Sequence, residues 1–166
     1  MAVAAFAALT GCSGDVQSER EYATPTLLCG IAVKATSVAP FLPGGSSLSL
    51  AEAEPVRGTK RCEIRVDGKL ALVASQEWRE KGARITTVAL DNQYIDMATY
   101  ETSGSYLYDA GGAVARVEPC EGPSFKGDLF TTIEVHSPDL GSTSAMEHLI
   151  MEYTESVKVS AACSPK

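Results

Sequence analysis

Two histidines, His136 and His148, are the side chains of this 166-residue chain best suited to move a proton near neutral pH. Each would need a nucleophile and a pocket beside it. No G-x-S-x-G and no S-x-x-K occurs. His136 falls at the end of an expected strand and His148 on an expected helix, so the plain interpretation of both is a surface residue at an element end. Either would be the base if the protein were a hydrolase. His148 and Glu152, one helical turn apart, could share a metal with His136 and Asp139, but the same spacing describes an ordinary exposed helix pair. No C-x-x-C and no further ligand set is present, so neither a metal nor a cofactor is expected. The aspartates at 67, 91, 96, 109 and 139 sit where turns need Asp, without calcium-loop spacing. Gly44-Gly45-Ser46-Ser47 lacks the lysine of a phosphate loop. Tyr94, Tyr100, Tyr106 and Tyr108 cluster among Gly and Ser and form a candidate binding surface, tyrosine giving large contact area at low entropy cost. The competing expectation is that they simply cover a sheet.

Five cysteines are present. Cys12 closes the apolar run Ala2–Thr10 in the motif Leu9-Thr10-Gly11-Cys12, a bacterial lipobox pattern: a thioether lipid is placed on such a cysteine and the peptide is cut before it. Residues 1–11 are then a lipoprotein signal peptide, too short to span a bilayer. No Lys or Arg precedes Arg20, so the signal is expected to be truncated, with its basic start upstream of Met1. Cys29, Cys62, Cys120 and Cys163 remain, an even number, and an exported chain should form two disulfides from them. Of three connectivities, Cys29–Cys62 with Cys120–Cys163 is favoured, because each pair brackets one continuous block.

These residues have to be held by a single domain. Residues 12–25 read as a flexible tether, polar and ending at Thr24-Pro25, and residues 26–166 as one α+β domain. Val38–Gly45 reads as a short helical turn stopped by Pro43 and the glycines. Cys62, Ile64 and Val66 alternate with charged residues, and Asp67-Gly68 is a two-residue hairpin turn leading into a strand from Lys69 to Ser75. Trp78 is expected in a loop or helical turn. Further strands are expected at 84–90, 94–99, 105–108, 113–118 and 129–135. Met146, Leu149, Ile150, Tyr153 and Val157 mark one face of a closing helix, with Ser144 and Glu147 at capping-box spacing. The expected architecture is an antiparallel or mixed sheet of about five to six strands, a C-terminal helix packed across it, and two disulfides.

The net charge of −7 is unchanged by removing residues 1–11, and it argues against nucleic acid and against electrostatic binding to anionic lipid.

Several segments together resemble a known group. They are the lipobox, Leu28-Cys29-Gly30, Ala39-Pro40-Phe41-Leu42-Pro43-Gly44-Gly45, Cys62 to Lys69, Leu129 to Val135, and Tyr153-Thr154-Glu155-Ser156-Val157 with Cys163. The group is the small surface lipoproteins of actinobacteria, most without an assigned function. The resemblance implies lipidation at Cys12, two disulfides and a place on the outer face of the cell membrane, and adds no catalytic residue. The expected function is a non-enzymatic binding or accessory domain of the cell envelope, held to the membrane by lipid. Its partner would be an envelope protein or a small ligand. The alternative is an envelope hydrolase using His136 or His148.

Overall fold

A computed structural model describes residues 19–96, 100–103, 105–122 and 125–163. Cys12, residues 1–11, the first part of the tether and Met97–Thr99 of the expected 94–99 strand lie outside them. Residues 19–25, placed in the tether by composition, are attached to the fold. Arg20 forms a parallel bridge to Gly45, and the Tyr22 hydroxyl donates to the Pro43 carbonyl.

A two-residue hairpin opens the domain, β1 (Leu27–Leu28) against β2 (Ile31–Ala32). Its turn residues Cys29 and Gly30 both have positive φ, 47° and 89°. A single helical turn, α1 (Ala35–Val38), runs into a 3-10 turn at Ala39–Phe41, as the Pro and Gly punctuation predicts. The main sheet follows: β3 (Leu48–Ala53), β4 (Thr59–Val66), β5 (Lys69–Arg79), a helix α2 (Ile85–Leu90), β6 (Glu101–Ser103), β7 (Tyr106–Tyr108), β8 (Gly112–Arg116) and β9 (Asp128–Val135). The C-terminal helix α3 spans Thr143–Lys158. The sheet order is β3-β4-β5-β9-β8-β7-β6, antiparallel at every neighbour.

The α+β expectation holds, and the sheet is antiparallel, with seven strands against the expected five to six or so. The β4–β5 turn is the predicted Asp67-Gly68, both at positive φ. The side-chain stripe of α3 is buried as its spacing requires, with Tyr153 1% exposed. This helix crosses β7, β8 and β9, and Thr154 on it bonds Thr131 of β9 at 2.7 Å. Both disulfides form in the favoured pairing, Cys29–Cys62 and Cys120–Cys163.

Three local expectations are corrected, and one strand forms where the sequence carries no strand signal. Residues 85–90 form a helix, not a strand. Ile85, Val88 and Ala89 fall at i, i+3 and i+4, and Val88 and Ala89 bury against Phe130, Val114 and Leu107, so helical periodicity outweighs the β-branched Thr86-Thr87 pair. Trp78 lies within β5, which continues to Arg79 because Gln76–Arg79 pair with Asp128–Thr131. β3 went unforeseen because Leu48–Ala53 carries no β-branched residue; it is an edge strand, exposed along most of its length. The cap of α3 is Ser142, whose hydroxyl accepts the Ala145 N–H at 3.2 Å, two residues before the expected Ser144.

One face of the sheet is covered by α3, the first hairpin and the α1 turn. The other carries α2 over β7–β9 only, which leaves β4 and β5 with an open charged surface. There Arg61 pairs with Glu134 (3.1 Å), Arg65 with Glu63 (2.7 Å) and Arg79 with Glu77 (2.7 Å).

Candidate functional site

Where α3 ends, the cover over the sheet is incomplete. The first hairpin, β3–β5 and residues 160–162 leave a cleft on the helix-bearing face. It consists of two adjoining cavities of about 170 and 250 Å³ that share Lys60, Gln76, Ala161 and Ala162. The alternation of the strands decides what it contains. Lys60 and Cys62 of β4 point to the same side as Ala74, Gln76 and Trp78 of β5, because Lys60 pairs with Gln76 and Cys62 with Ala74. Glu52 of β3 stands opposite Cys62 and joins them.

The inner cavity is floored by the Cys29–Cys62 disulfide, Tyr153 and Gln76. The Tyr153 phenol is almost wholly buried, and burial holds its pKa well above the ordinary tyrosine value; a hydrogen bond with Gln76 pulls the other way and the Glu52 charge adds to the rise. It stays a neutral hydroxyl that can both donate and accept. The outer cavity is walled by Trp78 and Phe125, whose rings stack with centroids 5.8 Å apart and planes 14° apart. The Arg57 guanidinium lies 5.9 Å from the Phe125 centroid. Two glycines make room for these rings. A Cβ on Gly122 would fall 2.4 Å from Trp78 Cζ2, and one on Gly58 would fall 3.0 Å from Phe125 Cε1. Lys60, Glu52 and Glu54 supply charge of both signs at the mouth.

The residues singled out from sequence are dispersed. His136 caps the end of β9, with Nε2 3.3 Å from the Glu134 carboxylate and its ring 4.1 Å from that of Tyr94. It borders a separate groove near Pro43, Asp67 and Leu140. His148 is exposed, and its Nδ1–H donates to the Ser144 carbonyl at 2.6 Å. Glu152 bonds α1, and among the described residues no three His, Cys, Asp or Glu side chains converge on a metal position. The four tyrosines do not make one surface: Tyr108 is in the core below α3, Tyr106 packs partly buried beside it, Tyr94 lies on His136, and Tyr100 is exposed. The Gly44–Ser47 loop does hold a carboxylate, but it is the chain's own. The Ser46 and Ser47 N–H groups donate to Asp67. The cleft was not visible in the sequence because its walls come from residue 28 to residue 162.

What these features define is a two-disulfide α+β domain with an aromatic-walled, hydrogen-bonding cleft. No family model matches the chain, and neither a curated protein nor a solved structure matches it.

Proposed function

We propose that the chain is a bacterial cell-envelope lipoprotein, anchored by lipid on Cys12 at the outer face of the membrane, whose domain binds a ligand or partner and catalyses nothing. The observation that carries this reading is the pairing of Cys29, Cys62, Cys120 and Cys163 into two disulfides, a state that reducing cytosol disfavours and an exported domain uses. The lipobox at Leu9–Cys12 and the likeness to small actinobacterial surface lipoproteins support the anchor. The cleft supports binding, as a concave site with apolar walls and a few converging polar groups. Among the described residues no helix is long and apolar enough to cross a membrane.

The chain joins the fold beside Gly45 and the Asp67-Gly68 turn, at one end of β4. The cleft lies around Lys60 at the other end, roughly 20 Å along the strand at about 3.3 Å per residue.

The intact mass of the membrane-fraction protein, taken without reductant from the full gene in a native-type host, tests the reading. A diacylglyceryl or triacyl adduct on a chain starting at Cys12, four hydrogens light, is expected. An unlipidated chain that keeps residues 1–11 and has all five cysteines as free thiols would overturn it. The hydrolase alternative would rest on His136 or His148, and a hydrolytic activity lost in His136→Ala or in His148→Ala would establish that instead.

A further inference from the structure

The lining of the cleft selects among ligand chemistries. A purely apolar ligand would strip water from Lys60, Glu52 and Gln76 and return no hydrogen bonds. A charged ligand of either sign would meet like charge in the lining, Glu52 and Glu54 for an anion, Lys60 and Arg61 for a cation. A neutral polyhydroxylated ring meets neither objection. Its C–H face carries partial positive charge and lies well against an aromatic ring, whose face is negative. Its hydroxyls can donate to Glu52 and Glu54, accept from Lys60, and do either with Gln76. The two cavities, about 170 and 250 Å³, provide room for one or two such rings.

We propose that this cleft is a saccharide site, in which a neutral sugar ring packs on the part of the Trp78–Phe125 stack that lines the outer cavity while its hydroxyls bond Gln76, Lys60 and Glu52. The proposal rests on the binding role advanced above and names the ligand class. It does not depend on the lipid. A glycan-bearing component outside the membrane is the class of ligand that an exported domain would meet.

Trp78 is the only tryptophan in the chain, so its fluorescence reports this site alone. The full chain in detergent would be titrated with chitotriose and with cellotriose, and with decanoate as the apolar anion. A saturable change in Trp78 emission is expected with at least one sugar, at a Kd near 1 mM or tighter, about 4 kcal/mol or more of binding. Phe125→Ala and Lys60→Ala, both at partly exposed or exposed positions, should weaken it about 10-fold, in the range that loss of one good contact produces. Far-UV circular dichroism of each variant would confirm the fold. Three outcomes would overturn the proposal: no saturation by either sugar up to about 20 mM, well beyond the weakest affinity expected; an unchanged Kd in both variants; or saturation by decanoate alone. The mass measurement on Cys12 stands apart, so a failed titration with an intact lipid adduct rejects the sugar and keeps the lipoprotein.

Discussion

The carboxylate of Glu152, on the closing helix, accepts the backbone N–H of Lys34 at 2.9 Å, across 118 residues of sequence, and takes the Ser37 hydroxyl with its other oxygen. Lys34 is the N-cap of α1 and supplies no capping side chain of its own. A helix one turn long has almost no intrinsic stability, so this borrowed cap fixes it against α3. Glu152→Ala should therefore destabilise the fold by about 1–2 kcal/mol, the scale of a lost charged hydrogen bond at a half-buried site. His148→Ala, four residues earlier and exposed, should be neutral within about 0.5 kcal/mol. Urea unfolding of the two variants checks this. If His148→Ala cost as much as Glu152→Ala, the assignment of Glu152 as a distant cap would be wrong.

The disulfides close loops of 33 and 43 residues. On the chain-entropy account each contributes about 4 kcal/mol by restricting the unfolded chain. The double variants Cys29→Ala/Cys62→Ala and Cys120→Ala/Cys163→Ala should each lose that much, the first somewhat more because Cys62 is core-buried and its sulfur leaves a void. The comparison is made by denaturant midpoint at neutral pH. An equal midpoint for the wild type with and without reductant would show that the bridges contribute nothing.

Stability should fall toward both ends of the pH scale, for separate reasons. Burial raises the phenol of Tyr153, and to a lesser degree those of Tyr22 and Tyr106, above the ordinary tyrosine range. Above about pH 10 the unfolded chain releases protons that the folded chain keeps, so this contribution is complete below that pH and is lost as the pH rises through it. Asp67 is the reverse case. The Ser46 and Ser47 N–H groups and the Ser47 hydroxyl hold its carboxyl below the usual carboxylate range. Its contribution is present above about pH 4 and disappears as the pH falls below that. Tyr153→Phe should flatten the alkaline limb and Asp67→Asn the acid limb of a stability-against-pH profile. A profile that keeps both slopes in the two variants would contradict the assignment.

Sequence patterns were informative where a single periodicity or a single turn decides the structure. The stripe Met146–Val157 could only be a helix burying one face, and Asp67-Gly68 could only be a tight turn. The cysteine pairing followed because each bridge closes a local block. Patterns failed where two signals competed over a few residues. At 85–90 the threonine pair spoke for strand and the spacing of Ile85, Val88 and Ala89 for helix, and contact with Phe130 settles it. They failed again where a segment's state is set by its neighbour: Glu77–Arg79 is strand because β9 pairs with it. The tyrosines stand out by composition, but strand alternation sends Tyr106 and Tyr108 beneath α3 and so into packing. No local pattern could have joined Leu28, Gln76, Phe125 and Ala162 into one cleft.

Gly122 offers a test of the cleft that leaves its polar groups untouched. The backbone at this position lies directly against the indole of Trp78, so that a Cβ would meet Cζ2 at 2.4 Å and Cη2 at 2.5 Å, closer than carbon atoms approach. Gly122→Ala must therefore push the ring or shift the loop. The loop carries Cys120, whose disulfide to Cys163 at the end of α3 resists movement, so the ring is the softer partner. Trp78 is partly exposed and belongs to the last turn of pairing in β5, which limits the global cost to about 1 kcal/mol, as for strain at the margin of a core. The local effect should be larger. A shifted Trp78 emission maximum and a loss of stacking on Phe125, read as a change in near-UV circular dichroism, are expected at nearly unchanged thermal stability. Should Gly122→Ala leave both spectra as they are, the indole does not rest against this glycine, and the aromatic wall drawn for the cleft is wrong.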